Sequence, residues 1–185
     1  MKTIDTLRDE HNGVLYVLDQ LERAVSAAER GSPVPKDVFA DVQEFFAIFV
    51  DKCHHGKEEA ELFPRLTTAQ GRELVERLEA DHVTGRRLAG AYAAAVQAYQ
   101  PGEADSGARL ATAARDYAQF LREHIALETD ELFRATETLA EQDQELFDAF
   151  ERVEEERIGP GTHERLHGMI DGLGARIEPW LERTR

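Results

Sequence analysis

A single cysteine, Cys53, stands among 185 residues, so no internal disulfide framework can hold this chain together. No apolar run approaches the roughly 20 residues needed to span a bilayer. The opening Met1-Lys2-Thr3-Ile4-Asp5 lacks the apolar core of a signal peptide. These absences predict a reducing, cytoplasmic setting. Positive charge is also scarce: 22 Lys and Arg face 37 Asp and Glu, for a formal net charge of −15. That balance repels nucleic-acid phosphates and anionic membrane surfaces, so neither is an expected partner, and it favours cations. Period-two alternation never lasts more than a few residues, which argues against strands. Neither a Ser/His/Asp arrangement, nor a phosphate-binding loop, nor a recognisable site for a large organic substrate is present.

What the chain does have is helical periodicity. Leu7, Val14, Leu18, Leu21 and Val25 fall at steps of three and four, with His11 in the slot between the first two. Gly31-Ser32-Pro33-Val34-Pro35 ends that helix. A second helix is expected from Lys36 or Asp37 to about Leu66, its inward face reading Phe46, Val50, His54, Glu58, Leu62 and Leu66. Pro64 should bend or fray its end. After a break at Thr67 to Gly71, a third helix carries Val75, Leu78, His82, Gly85, Ala89, Tyr92 and Val96 on one face. Pro101 to Gly107 has loop composition. A fourth helix then presents Leu110, Ala114, Tyr117, Leu121, His124, Glu128, Leu132 and Leu139.

Four long amphipathic helices with short connections predict an all-α, up-down-up-down four-helix bundle over residues 1–139. Residues 140–185 read as a C-terminal extension of two additional helices packed on the bundle. The first is charged, spans Glu141 to Arg157, and has Leu146, Phe147, Phe150 and Val153 on its apolar side. Gly159-Pro160-Gly161 stops it, and a helix capped by Thr162 should fade before Pro179.

The two halves of the bundle share a plan. His54-x-x-x-Glu58-x-x-x-Leu62-Phe63 has the form of His124-x-x-x-Glu128-x-x-x-Leu132-Phe133. Residues four apart stand one above the other on a helix, so each histidine and its glutamate can address one spot. At ~1.5 Å of rise per residue, His11 lies roughly 28 Å before the end of its helix and His54 roughly 26 Å past the start of the next. The same reasoning puts His82 and His124 at about 27 and 26 Å, so four histidines meet in one layer with two glutamates a turn away. A lone core histidine is most simply a satisfied polar residue. Two unpaired buried carboxylates are costly, however, and with four imidazoles at one height they point to metal ligation.

The order His11, His54-x-x-x-Glu58, His82, His124-x-x-x-Glu128, with Glu-Glu-x-x-Leu-Phe-Pro after His54, resembles the hemerythrin-like (HHE cation-binding) proteins over about residues 1–139. The resemblance implies two non-haem iron ions, oxo- or hydroxo-bridged, with Glu58 and Glu128 as bridging ligands and manganese or zinc as lesser alternatives. It implies a protein that binds or reacts with O2, peroxide or nitric oxide in oxidative or nitrosative stress defence, catalase-like turnover included. The alternative is an iron-binding sensor or storage module without turnover. A ferritin-like carboxylate oxidase would need paired Glu-x-x-His motifs on two helices of the bundle, and within residues 1–139 only Glu79-x-x-His82 fits.

The oxygen-carrying hemerythrins use five histidines, two of them on the third helix, whereas here Arg86 and Leu78 flank His82 at the four-residue distance. Four histidines would leave more than one labile position. His163 is the leading candidate for a fifth ligand, its other reading being an exposed histidine at a helix start; His167 is a weaker candidate. His55 and Glu59 repeat the spacing of His54 and Glu58, but only one pair is expected to face the core. The face shared with Phe46, Val50, Leu62 and Leu66 selects His54 and Glu58, leaving His55 behind the site or on the surface. Cys53 reads as a packed thiol. Gly85 and Ala89 either leave room for a small ligand or permit close helix packing.

Overall fold

The first helix, α1 (Lys2–Glu29), buries Leu7, Val14, Leu18, Leu21 and Val25, the residues its periodicity selects. Met1 offers its N-terminus no side-chain cap. Asp143, far along the chain, does so instead: its carboxylate accepts the backbone N–H of Lys2 at 2.8 Å and of Thr3 at 3.2 Å, and the Thr3 hydroxyl at 2.6 Å. At the other end Gly31 turns the chain with φ +83°, a backbone conformation costly for any residue with a Cβ. The structure, a computed structural model, describes residues 1–181.

The second helix, α2, covers residues 36–65 and is not uniform. It starts as α-helix over Lys36–Phe45, widens to π-helix over Phe46–His54, and is α-helical over His55–Lys57. It widens again over Glu58–Leu62 and tightens to a 3₁₀ turn over Phe63–Arg65, which absorbs Pro64. Helix α3 (Ala69–Ala98) is regular and starts from Thr68, whose hydroxyl accepts the N–H of Gly71. Helix α4 covers residues 104–142: α-helical over Ala104–Leu127, π over Glu128–Leu132, α over Phe133–Ala135, and 3₁₀ over Thr136–Gln142. Its start meets the end of α1 so closely that a Cβ on Gly107 would lie 2.2 Å from the carbonyl oxygen of Ala28.

Among the described residues no strand occurs, and the arrangement is the all-α bundle expected, with α4 packed on both α1 and α3, and α2 against α3. The bundle holds two apolar clusters, not one. Ile4 and Leu7, Leu62 and Phe63, Leu74 and Leu78, and Leu132 and Phe133 form the first. Val14 onward in α1, Phe46 to Val50, Tyr92 and Val96, and Leu110 to Ile125 belong to the second. Each helix changes cluster at its histidine, so a polar layer crosses the bundle at one height.

The C-terminal residues complete both clusters. Helix α5 (Asp143–Ile158) buries Leu146 and Phe150 in the first. Helices α6 (Thr162–Asp171) and α7 (Leu173–Leu181) bury Leu166, Ile170, Leu173 and Ile177 in the second. The expected last helix is thus divided at Gly172, and it does not fade before Pro179. It continues past Pro179 to Leu181, the last described residue, since a proline forgoes only one intrahelical bond and Ser32 Oγ donates to the Trp180 carbonyl at 2.9 Å. Residues 182–185 of the expected extension lie outside the described residues. No described helix is long and apolar enough to cross a membrane.

Candidate metal centre

The π turns decide which side chains of α2 reach the interior. Residues spaced by four over-rotate by about 40° per step on a 3.6-residue helix, so a strict run of fours soon leaves the core face. Here the N–H of His55 bonds the carbonyl of Val50, and that of Phe63 the carbonyl of Glu58, each five residues back. Those wider turns keep Phe46, Val50, His54, Glu58 and Leu62 buried together. In α4 the N–H of Phe133 bonds the carbonyl of Glu128 in the same way, one turn below His124.

The expectation that only one of His54 and His55 faces inward is overturned: both are buried. Neighbouring positions on a helix point about 100° apart, and the local widening turns that angle across the bundle axis. His54 reaches toward α1, its ring 4.9 Å from that of His11. His55 reaches toward α3, stacked on His82 at 3.9 Å, with His124 at 5.7 Å. Glu59, the carboxylate paired with His55 in sequence, stays at the half-buried rim.

The layer therefore divides into two donor groups, one of His11, His54, Glu58 and Glu128, the other of His55, His82 and His124, each with its donor atoms within 4.8 Å of one another. The two carboxylates straddle them. Glu58 turns Oε1 to His54 Nε2 (3.7 Å) and Oε2 to His82 Nε2 (3.4 Å). Glu128 turns Oε2 to His11 Nε2 (3.1 Å) and Oε1 to His124 Nε2 (3.1 Å). Six side chains predicted from the sequence, His11, His54, Glu58, His82, His124 and Glu128, thus stand together, and His55 joins them.

His163 does not. Helix α6 lies on the outer side of α2, where its apolar residues complete the second cluster. His163 therefore stacks on Phe49 at 5.3 Å and meets Glu154 through Nδ1 at 2.9 Å. His167 lies beside it, the two Nε2 atoms 3.0 Å apart. The fifth histidine that the structure places in the layer is His55.

Carboxylates behind the cluster fix two of the rings. His54 Nδ1–H donates to Glu10 at 2.8 Å and His82 Nδ1–H to Glu59 at 2.7 Å, so both Nε2 atoms face inward without a proton when the rings are neutral. Arg86 bonds Glu59 at 2.8 Å and Asp51 at 2.6 Å. Asp51 stands 3.8 Å from His55 Nδ1, and Asp81 stands 3.5 Å from His124 Nδ1.

Electrostatics in the layer follow from burial against charge. Burial works against protonation of His54, but Glu58, Glu10 and Glu128 outweigh it and lift the ring to about 10. The same opposition, with Glu128, Glu58 and Glu59 prevailing, lifts His82 to about 11. His55 is the opposite case, pushed down to about 3 by burial beyond what Asp51 can restore. Burial also opposes the charge on Glu128, yet His124, His11 and His54 hold its carboxyl well below the ordinary range. The carboxylates in this layer demand positive charge.

The hydrogen bonding shows the same demand. Both nitrogens of His11, His55 and His124, Nε2 of His82, and all four oxygens of Glu58 and Glu128 are buried without a hydrogen-bond partner among the described residues. Each such atom costs roughly 1–3 kcal/mol if nothing meets it. They approach one another at 3.1–4.0 Å without hydrogen-bond alignment, as donors do that face a shared point. Imidazole nitrogen and carboxylate oxygen, buried and aimed inward, fit a cation.

Around the layer, Phe133 stacks on His11 at 5.3 Å, Phe63 on His82 at 5.6 Å and Phe120 on His124 at 6.1 Å. A cavity of about 240 Å³ reaches His55 from outside, walled by Phe46, Ala47, Gly85, Ala89, Tyr92 and Tyr117 with Asp51 and Arg86 among its polar residues. Gly85 and Ala89 thus do border open volume. Gly85 also serves packing, since a Cβ there would lie 3.2 Å from the Phe120 ring.

Comparison with known families gives a match to the hemerythrin HHE cation binding domain over residues 2–136, a span that holds every side chain of the layer. No curated protein and no solved structure gives a significant match to the chain.

Proposed function

This chain belongs to the hemerythrin HHE cation-binding family, and we propose that its buried layer holds two non-haem iron ions that bind or react with O2, peroxide or nitric oxide. The observation that carries the reading is the division of donors: two histidine groups with two carboxylates, each turning one oxygen to either side. Mixed nitrogen and oxygen donors of this kind suit iron, with manganese or zinc as alternatives. When bound, such a pair of ions supplies redox-active Lewis-acid centres with room for a small exchangeable ligand.

The protein's part is to hold and to screen. His55, His82 and His124 serve one side, His11 and His54 the other, so the shortage of protein donors narrows to the His11 and His54 side. Five imidazoles instead of four weaken the sequence-based case for several labile positions. Glu10 and Glu59 keep His54 and His82 in the tautomer that presents Nε2. The Phe133, Phe63 and Phe120 rings keep water from the donors. The single buried cysteine and the lack of a membrane-crossing helix among the described residues support a cytoplasmic site of action. An iron-binding sensor without turnover is the second reading, favoured by the polar contacts that run from His54 to α5 and α6.

Anaerobic protein loaded with ferrous iron and mixed rapidly with O2, peroxide or nitric oxide tests the reading. An absorbance change with at least one of them, lost in Glu58→Ala, is expected. Repeated peroxide consumption would select turnover over sensing. An iron-loaded protein inert to all three would refute the proposal.

A further inference from the structure

Lys57 lies on α2 between His54 and Glu58 and is only 1 % exposed. A buried ammonium is stable only with counter-charge, and two carboxylates provide it: Glu10 Oε1 at 2.6 Å and Glu154 Oε2 at 2.8 Å. Glu10 uses its other oxygen on His54 Nδ1. Glu154 uses its other oxygen on His163 Nδ1. A continuous line of contacts therefore joins an imidazole of the central layer to α5 and α6. Helix α5 can come this near because position 56 is glycine: a Cβ there would lie 3.0 Å from Arg157 Cδ.

Glu10, Glu154 and His163 could by donor type hold a cation of their own. The Lys57 ammonium already bonds both carboxylates, so the cluster reads as an ion-pair relay. Its logic is one of competition. Glu10 has to serve a lysine and a histidine, and Glu154 relieves it of part of the lysine. Without Glu154 the ammonium would draw Glu10 toward itself and away from His54.

Resting on the metal reading of the layer given above, we propose that Glu154 is a positioning residue for the metal centre. By holding Lys57 it seats Glu10 against His54, so helices beyond the family match set the orientation of one imidazole in the His11 and His54 group. Partners of metal-bound histidines change metal affinity by roughly 10–100-fold when removed, which sets the size of the effect.

The test uses the full chain loaded with ferrous iron under anaerobic conditions, comparing wild type, Glu154→Ala, Glu154→Gln and Asp143→Ala. Iron content, iron release to a chelator, and the imidazole N–H resonances of the loaded protein are measured. In Glu154→Ala one iron should leave about 10–100-fold faster than in wild type, the other at the wild-type rate, with one N–H resonance displaced. Glu154→Gln, which retains an acceptor for Lys57, should fall between, and it carries the test if the alanine variant fails to fold. Asp143→Ala removes another anchor of α5, so it should lower the melting temperature and leave release unchanged. Wild-type release from the Glu154 variants, or equal acceleration in Asp143→Ala, would overturn the proposal while leaving the metal reading intact. A wild-type protein that takes up no iron would instead overturn the metal reading, and the inference with it.

Discussion

Replacing His55 by leucine should stabilise the metal-free protein and weaken its hold on iron. Both ring nitrogens of His55 are buried without a hydrogen-bond partner, and burial keeps the ring neutral, its pKa pushed down to about 3. Removing an unmet buried polar group recovers roughly 1–3 kcal/mol. The leucine forfeits the stacking on His82 at 3.9 Å, a contact type worth about 0.5–1.5 kcal/mol. The net gain is about 0.5–1.5 kcal/mol, with a melting temperature higher by about 2–4 °C per kcal/mol in a chain of this size. With iron the sign reverses. A ligand present at a hundred times its Kd stabilises by about 2.7 kcal/mol, and a centre short of one donor keeps less of that. Thermal unfolding in chelator and in excess ferrous iron, both anaerobic, should therefore give curves that exchange order. Equal destabilisation of the variant in both conditions would show that His55 is a packing residue, and would refute the reasoning.

Three further outcomes follow from the same geometry. Gly107→Ala would ordinarily favour a helix, but the Ala28 carbonyl stands where its Cβ would go, so chemical denaturation should show a loss of about 1–3 kcal/mol; a gain would contradict the close approach of α1 and α4. Asp143→Ala should cost about 1–2 kcal/mol through the lost cap on α1. The Lys2 and Thr3 contacts hold the Asp143 carboxyl below its ordinary range despite some burial, so this stability is present above the unfolded pKa and lost as pH falls through the folded one. The wild-type and variant stabilities should then converge in acid, and a gap that persists below both pKa values would refute the assignment. Gly85→Leu should fill the cavity beside His55 and weaken azide binding to the iron-loaded protein by about tenfold, roughly the effect of a small steric change in a pocket; unchanged azide binding would sink the idea that this cavity admits ligand.

Much of this architecture was legible in the residue order. Steps of three and four located the four bundle helices, and equal distances from the helix ends placed His11, His54, His82 and His124 in one layer. The two apolar clusters on either side of that layer explain why: each helix has a polar stretch around its histidine where the core is interrupted. His55 was expected behind the site or on the surface because a regular helix of 3.6 residues per turn brings only one of two neighbouring positions to the core face. The signal was present nonetheless, in the unbroken spacing by four from Phe46 to Leu66, which a regular α-helix cannot keep on one face. Lys57 and Glu10 were missed for another reason. Their burial depends on each other and on Glu154, partners 47 and 97 residues apart in the chain, and periodicity carries no information about such pairs. The position of His163 depends on how α6 turns after two glycines at positive φ, Gly159 and Gly161, whose freedom left that direction open.

Metal analysis of the purified protein, with its optical spectrum, bears most directly on the buried layer. Two irons per chain are expected, with charge-transfer absorption that is lost in His54→Ala. Less than one metal per chain, at a level that does not respond to His54→Ala, would contradict the account.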